Sequence, residues 1–188
     1  MTVPMRKIAV FCGARYGVRP AYAEAAREFG ASLAARHCGL VYGGGRVGLM
    51  GLVAQGCLDG GGHVTGVIPS FLNTRELLHP DLQSCHTVVD LFERKSMMMS
   101  IADAFVALPG GIGTLDELLE IMAWRQLKQF DKPLGVLDTA GYFGPWFTAL
   151  ENAAAEGFVD NAEISRMIVD ASVASLLDRL LLALPPLG

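Results

Sequence analysis

Short apolar runs alternate with longer amphipathic stretches along this chain. Runs of that length predict buried strands, and apolar residues at helical spacing predict helices packed on them. The predicted strands are Lys7–Cys12, Leu40–Tyr42, His63–Ile68, His86–Val89, Ala104–Leu108, Pro133–Leu137 and Met167–Val169. The predicted helices are Ala21–His37, Leu49–Leu58, Leu91–Ile101, a helix ending at Leu127, Phe143–Glu156 and Ser172–Leu184. This alternation predicts an α/β, Rossmann-like doubly wound parallel sheet with helices on both faces.

Length and composition fit one domain over residues 1–188. Apolar residues make up 52% of the chain and charged residues 18%, which suits a largely buried parallel sheet. The formal charge is −4 with no basic run, which argues against a nucleic-acid partner. No stretch reaches about 18 uninterrupted apolar residues, and no cleavage signal follows the first residues, so we expect a cytoplasmic protein with no membrane partner.

The cysteines are far apart in the sequence and form no C-x-x-C pair. This spacing favours small buried hydrophobes in a reducing compartment over a disulfide frame or a zinc site. We therefore expect no metal site and no cofactor. The four residues are Cys12, Cys38, Cys57 and Cys85.

A glycine turn lies where the fifth predicted strand meets the helix that follows it. It reads Pro109-Gly110-Gly111-Ile112-Gly113-Thr114-Leu115-Asp116-Glu117. Glycines let a bound group approach the backbone, and the first N–H groups of a helix attract phosphate. Thr114 and Glu117 also have the spacing of a capping box, in which Glu117 only closes the helix end. Spacing leaves both interpretations open, and an anion here needs a cation from elsewhere to offset the two carboxylates.

A second glycine turn, Gly43-Gly44-Gly45-Arg46-Val47-Gly48, follows the second predicted strand. Its G-x-G-x-x-G spacing is typical of dinucleotide-binding folds. The next strand ends in Val67-Ile68-Pro69 without a carboxylate for the ribose hydroxyls, so a nicotinamide oxidoreductase is disfavoured while a nucleotide or sugar-phosphate pocket stays open. The alternative is that these glycines only permit a tight turn and close helix packing. Both turns should open onto the same edge of a parallel sheet.

The helix after the fourth strand supplies candidate cations for that edge. Arg94 and Lys95 suit phosphate or carboxylate, although they also fit a solvated helix face paired with Glu93 or Asp90. Met98 lies one turn after Arg94 and is a candidate for lining an adenine-sized pocket, although methionine clusters are more often core filler.

The helix after the glycine turn of the fifth strand has two apolar faces. The predicted buried stripe is Leu115, Leu118, Leu119 and Met122. The other face contains Glu117, Ile121 and Trp124 and is too apolar for open water, which suggests packing against a second subunit.

Taken together, these motifs resemble those of the LOG (Lonely guy) family, the cytokinin riboside 5′-monophosphate phosphoribohydrolases. The paired signatures are Pro109-Gly110-Gly111-x-Gly113-Thr114-x-x-Glu117 and Val41-Tyr42-Gly43-Gly44-Gly45-x-Val47-Gly48-Leu49-Met50-Gly51. The likeness also covers Glu93-Arg94-Lys95 and spans nearly the whole chain, from Ile8 to about Val169. Members have often carried the label "lysine decarboxylase", but the sequence offers no assignable pyridoxal lysine site.

The resemblance implies hydrolysis of the N-glycosidic bond of an N6-substituted adenosine 5′-monophosphate, with release of the free base and ribose 5-phosphate. It implies a homodimer that needs no metal, with Arg94 and Glu117 as the catalytic pair. A fixed carboxylate can stabilise an oxocarbenium ion, and Arg94 either neutralises phosphate or polarises the leaving base. The expected substrate contacts are Gly44, Gly45, Gly48, Met50, Glu76, Arg94, Lys95, Met98, Pro109, Gly110, Gly111, Ile112, Gly113, Thr114, Leu115, Asp116 and Glu117.

Two positions depart from the family pattern. Phe92 stands where the family commonly has His, which removes a proton carrier, and Arg46 stands where it has a small polar residue, which adds a phosphate contact or fills the pocket. A rival function from another class is a non-catalytic carrier. Molybdenum-cofactor carrier proteins resemble this fold, and such a protein binds a phosphorylated pterin or nucleotide without cleaving it.

Overall fold

The chain alternates strands and helices as its apolar pattern predicts. A computed structural model describes residues 5–74 and 77–186. The strands are β1 (Lys7–Phe11), β2 (Gly39–Tyr42), β3 (Val64–Pro69), β4 (Ser84–Val88), β5 (Ala104–Ala107), β6 (Leu134–Leu137) and β7 (Ile168–Asp170). The helices are α1 (Pro20–Ala35), α2 (Gly48–Asp59), α3 (Leu91–Ile101), α4 (Ile112–Gln126), α5 (Gly144–Ala155), α6 (Asn161–Ser165) and α7 (Val173–Leu182). Two short 3₁₀ turns lie at Ser70–Leu72 and Thr139–Gly141.

The seven strands form one sheet in the order β4-β3-β2-β1-β5-β6-β7, and every neighbouring pair is parallel. The chain starts at the centre with β1, moves outward to β4, and returns with β5 to the other side of β1. The strand order therefore reverses between β1 and β5. In open α/β sheets, ligands bind at the carboxyl edge where this reversal occurs.

Helices cover both faces of the sheet, which confirms the predicted doubly wound class. On one face α1, α2 and α7 enclose a core that includes Phe29, Leu33 and Leu176. On the other face α3, α4 and α5 enclose a second core that includes Met98, Ile121 and Phe105. Because both faces are covered, β2, β5 and β6 are buried along their whole length, and β1 is buried from Ile8 onward.

Two local features of the fold differ from the prediction, apart from those of α4 described below. The short helix α6 was not predicted, because five residues give too little periodicity to detect. Cys85 is exposed on the edge strand β4, whereas Cys12, Cys38 and Cys57 are buried as expected. Among the helices described, none is long and apolar enough to cross a bilayer.

Candidate active site

A cavity of about 710 Å³ opens at the carboxyl edge of the sheet, beside the strand reversal. Its walls come from the loop 12–17 after β1, from the glycine turn after β5, and from the first turns of α2, α3 and α4. Both Arg94 and Glu117 line it. The sheet topology therefore brings together two side chains that lie 23 positions apart in the sequence.

Arg94 and Glu117 form a direct ion pair inside the cavity. Arg94 Nη2 donates to Glu117 Oε1 at 2.8 Å, and the two side chains are only 13% and 10% exposed. The triple-glycine turn makes room for this arginine, because a Cβ on Gly43 would lie 2.6 Å from Arg94 Nη2. The two sequence motifs thus meet at one guanidinium group.

Burial changes the acid–base behaviour of Glu117. Loss of solvent raises the pKa of its carboxyl to about 7, although the positive charge of Arg94 opposes this shift. Both protonation states are therefore accessible near neutral pH. A carboxyl group with this property, in a cavity, is typical of functional sites.

Lys95 forms a second charged cluster at the rim. Its Nζ lies 2.9 Å from Asp116 Oδ2 and 2.6 Å from Glu120 Oε2. Burial acts to lower the pKa of Lys95, but hydrogen bonds to Glu120 and Asp116 outweigh it, and the pKa is raised. Arg94 and Lys95 are thus paired with α4 across the cavity, not with the carboxylates of their own helix.

Asp90 and Glu93, the alternative partners of Arg94 and Lys95, cap the N-terminus of α3. Asp90 is the N-cap residue and accepts a hydrogen bond from the Glu93 N–H at 2.8 Å. The Glu93 carboxylate accepts from the Val89 N–H at 2.7 Å. These bonds satisfy free donors at the helix start, so the capping role belongs to Asp90 and Glu93.

The capping box predicted at Thr114 and Glu117 does not form. The helix α4 begins at Ile112, three residues earlier than that box requires. Its N-cap residue is Gly111, and no side chain caps the helix start. Thr114 is a buried helical residue, and Glu117 bonds Arg94 instead. The first N–H groups of α4 lack intrahelical acceptors by geometry, so they remain available to a ligand.

The glycine turn leaves open space on its cavity side. A Cβ on Gly111 or Gly113 would meet no atom within 4 Å, so internal packing does not require glycine at either position. Gly110 is different, because a Cβ there would lie 2.1 Å from Thr114 Oγ1. The backbone of the turn can thus approach a bound group closely.

Two hydrogen bonds from other loops hold this turn in place. The Gly13 N–H donates to the Pro109 carbonyl oxygen at 3.0 Å. Tyr142 Oη donates to the Gly110 carbonyl oxygen from the loop after β6. Tyr142 is itself fixed by edge-to-face contacts with Tyr22 and Phe143, at ring-centroid distances of 5.7 and 5.0 Å.

The remaining glycines of the second motif serve packing. Gly48 has φ +67°, and a Cβ on it would lie 2.3 Å from the Ala14 carbonyl carbon. Gly44 has φ +78° and packs on Ile68, and Gly45 forms an isolated bridge with Leu78. None of these three lines the cavity, and their geometry is that of a tight turn with close packing. Met50 does line it.

Other expected contacts are placed elsewhere. Met98 is fully buried in the core, as the core-filler alternative holds, and Leu115 packs against the same core. Glu76 lies outside the described residues. Phe92 is 76% exposed with the Lys95 ammonium 5.6 Å from its ring centroid, and Arg46 does not line the cavity.

The predicted buried stripe of α4 needs correction. Leu119 is 46% exposed, because α4 packs on the sheet through a neighbouring face that carries Leu118, Ile121 and Met122. Trp124 is also exposed, while Ile121 is fully buried. The buried residues of α4 are Thr114, Glu117, Leu118, Ile121, Met122 and Arg125.

Several lining residues were not predicted as site residues. They come mainly from the loop after β1 and from aromatic positions, and they include Cys12, Arg15, Tyr16, Tyr22, Leu91 and Tyr142. The signal that could have found the loop is its place in the fold, since it follows the central strand on which the strand order reverses. No local motif marks Tyr22 or Tyr142.

These features define a Rossmann-like α/β protein with a buried arginine–glutamate pair in a ligand cavity. A family model described as "Possible lysine decarboxylase" matches residues 50–180. The chain is 46% identical to a probable cytokinin riboside 5′-monophosphate phosphoribohydrolase of Oryza sativa subsp. japonica. The alignment covers 94% of this chain and 77% of that protein. It is 47% identical to a cytokinin riboside 5′-monophosphate phosphoribohydrolase of Arabidopsis thaliana. That alignment covers 93% of this chain and 80% of the relative. The chain therefore belongs to the LOG family.

Solved structures with the same fold include molybdenum-cofactor proteins. One is the molybdenum cofactor binding protein of Rippkaea orientalis, with TM-score 0.72 and 18% identity over 95% of this chain and 97% of that one. Another is the molybdenum cofactor carrier protein of Chlamydomonas reinhardtii, with TM-score 0.72 and 20% identity over 95% of this chain and 99% of that one. At these identities the likeness shows a shared fold alone.

The description "lysine decarboxylase" implies a pyridoxal cofactor bound to a lysine, and the cavity does not fit one. Of the chain's lysines, only Lys95 lines the cavity. A Schiff-base lysine must reach its neutral form, whereas the bonds of Lys95 to Glu120 and Asp116 raise its pKa. Lys132, whose pKa burial lowers, donates to the Met99 carbonyl oxygen outside the cavity.

Proposed function

We propose that this protein is a nucleoside 5′-monophosphate phosphoribohydrolase that cleaves the N-glycosidic bond of adenosine 5′-monophosphate or its N6-substituted forms. The observation that carries the proposal is the Arg94–Glu117 pair in an open cavity, in a chain of the LOG family. The products are the free adenine or cytokinin base and ribose 5-phosphate. The relatives at 46% and 47% identity are named for this activity.

The proposed reaction needs a negative group close to the ribose. When the C1′–N9 bond breaks, its electron pair leaves with the base and positive charge develops on the sugar. Glu117 in its ionised form stabilises that charge or orients the attacking water. The water oxygen then bonds C1′, and a water proton ends on the base. Arg94 holds Glu117 and either polarises the base or neutralises phosphate.

The proposed substrate contacts follow from the cavity walls. Apolar and aromatic lining such as Tyr16, Tyr22 and Leu91 suits a base, and the start of α4 suits an anionic group. Of the expected contacts, those that line the cavity are Met50, Arg94, Lys95, Pro109, Gly110, Gly111, Ile112, Gly113, Thr114, Asp116 and Glu117.

Replacement of Glu117 tests the proposal. Glu117→Gln keeps the shape of the side chain but not its charge, so base release from adenosine 5′-monophosphate should fall about a thousandfold or more. The matched control is Glu151→Gln on the exposed part of α5, which should turn over like wild type. Chromatography of the products and circular dichroism measure activity and fold. Unchanged turnover in Glu117→Gln would remove the carboxylate from the chemistry.

The same assay separates the enzyme from a non-catalytic carrier of a phosphorylated pterin or nucleotide. A carrier binds adenosine 5′-monophosphate without releasing a base in a single-turnover experiment. A panel that includes guanosine and cytidine monophosphates and an N6-isopentenyl ribotide then defines the base preference. No base from any of these ribotides would contradict the proposed reaction.

We also propose that the protein is a cytoplasmic homodimer. Support for a dimer comes from three exposed apolar side chains, Leu119 and Trp124 of α4 and its C-cap residue Leu127, at 46%, 40% and 69%. Support for a reducing compartment comes from the cysteines, which are all free thiols. Sedimentation equilibrium tests the assembly, and Trp124→Glu should shift it toward the monomer.

A further inference from the structure

The charged side chains that line the cavity have partners, with one exception. Arg94 pairs with Glu117, and Lys95 pairs with Asp116. When Glu117 is ionised, the charges of these pairs cancel, so they leave no excess positive charge for an anionic ligand. Arg15 also lines the cavity, its side chain is exposed, and it has no partner among residues 5–74 and 77–186.

The fold holds Arg15 close to the start of α4. The Gly13 N–H bonds the Pro109 carbonyl, and the Met50 N–H bonds the Gly13 carbonyl at 3.2 Å. Arg15 follows Gly13 by two residues, so its Cα lies within about 7 Å of that anchored glycine. The long arginine side chain therefore begins beside the glycine turn whose N–H groups are free.

We propose that Arg15 anchors the 5′-phosphate of the substrate against the first turn of α4. The guanidinium group can bind two phosphate oxygens at once, and the N–H groups of Ile112 and Gly113 can bind a further oxygen. This inference rests on the proposed function, because it names the substrate class of that site as phosphorylated nucleosides. It also leaves Arg94, which is already paired with Glu117, for the end of the substrate that reacts.

The inference assigns a discriminating role to a residue that takes no part in bond cleavage. Phosphate contacts made equally in the ground state and the transition state change KM and leave kcat nearly unaffected. Arg15 should therefore select ribotides over unphosphorylated nucleosides. Loss of Arg15 should weaken the binding of every ligand that carries the phosphate and leave the binding of ligands that carry only the base unchanged.

The test compares Arg15→Met with Arg27→Met. Arg27 lies on α1, outside the cavity lining, and its ion pair with Asp59 is exposed, so this control changes the net charge by the same amount. In Arg15→Met, the KM for adenosine 5′-monophosphate should rise about ten- to a hundredfold with kcat within about twofold of wild type, as loss of charged hydrogen bonds to the phosphate predicts. Inhibition by ribose 5-phosphate should weaken by the same factor, and inhibition by adenine should not change. Arg15→Lys should retain part of the affinity.

An unchanged KM in Arg15→Met, or an equal loss of inhibition by adenine and ribose 5-phosphate, would overturn the assignment. The proposed function can fail separately. If wild type releases no base, titration calorimetry with adenosine 5′-monophosphate and with inorganic phosphate still judges Arg15. Binding by wild type that Arg15→Met loses supports the anchor without the reaction. Equal binding by both proteins, or no binding by wild type, overturns it.

Discussion

The helix α4 takes part in two buried arginine–glutamate pairs, one near each end. Near its start Glu117 pairs with Arg94 of α3 at 2.8 Å, with side chains 13% and 10% exposed. In its last turn Arg125 pairs with Glu163 of α6 at 3.0 Å, with side chains 2% and 4% exposed. The residue types and the distances are nearly the same, so chemistry alone does not tell the two pairs apart.

The difference between the pairs is their surroundings. Arg94 and Glu117 face a cavity of about 710 Å³, whereas neither Arg125 nor Glu163 lines it. Unpartnered buried atoms do not separate the pairs, because Arg94 Nε as well as Arg125 Nε and Nη1 and Glu163 Oε1 lack a partner with hydrogen-bond geometry in the described part of the chain. The closed pair ties α4 to α6, and the open pair can exchange its partner for a ligand. Access, not ion pairing, distinguishes the candidate catalytic pair.

The strongest test of this comparison removes the arginine of the open pair. Arg94→Met should lower kcat/KM about 10²–10³-fold, because a preorganised charge beside the reacting bond is lost. The fold should survive, since Glu117 can take up a proton in a cavity that already raises its pKa to about 7. Steady-state base release and thermal melting measure both effects. A melting temperature that collapses while the residual activity stays high would reverse the assignment of the two pairs.

The same substitution in the closed pair should affect stability instead. Arg125→Met leaves the buried Glu163 without its main counter-charge, which typically costs about 3–5 kcal/mol in unfolding free energy. Activity of the protein that remains folded should match wild type. Urea denaturation and turnover at low temperature check the two outcomes. Glu163→Gln in the Arg125→Met background should recover part of the loss, because the buried charge is then gone.

The pH dependence of the reaction should report the open pair alone. Burial raises the pKa of Glu117 to about 7, so kcat/KM should fall as the pH drops below about 7 and the carboxylate takes up a proton. In Arg94→Met this acid limb should move to higher pH, since Arg94 lowers that pKa. In Arg125→Met the limb should not move. An acid limb near pH 4–5, the range of an unshifted glutamate, would contradict burial as the controlling effect.

The sequence predicts the fold of this chain well because each strand and helix carries its own apolar pattern, and these patterns alternate regularly along the chain. The resemblance to the LOG family implies Arg94 and Glu117 as one catalytic pair, whereas spacing alone leaves Arg94 open between the edge of the sheet and a solvated helix face. The sequence does not predict which neighbouring group each glycine makes room for. Only the packed structure shows that Gly43 makes room for Arg94, while Gly48 accommodates Ala14.

The sequence mispredicts both the start of α4 and the face that the helix buries. Thr114 and Glu117 satisfy a capping box by spacing, but Gly111 precedes a helix that begins at Ile112. The face that packs on the sheet also differs from the predicted stripe, with Leu119 exposed and Ile121 in the core. A local pattern cannot detect that the capping box fails to form, because the competing bond from Arg94 comes from another helix.

The smallest predicted effect concerns Tyr142, which lies outside α4 and donates a hydrogen bond to the glycine turn before this helix. Tyr142→Phe keeps the aromatic contacts with Tyr22 but removes the hydrogen bond to the Gly110 carbonyl. Loss of one such bond costs about 0.5–1.5 kcal/mol, so the KM for adenosine 5′-monophosphate should rise about two- to tenfold as the glycine turn loosens.

Thr148→Val is the matched control for Tyr142→Phe. It removes a hydroxyl that donates to the Gly144 carbonyl at 3.2 Å on α5, outside the cavity lining. Both variants should lose similar stability in thermal melts, but only Tyr142→Phe should change KM. A ligand held by the free N–H groups of α4 depends on the orientation of the Gly110–Gly111 peptide, which that bond fixes. Equal KM values in the two variants would show that the turn keeps its shape without Tyr142, and that α4 alone sets the geometry of the cavity.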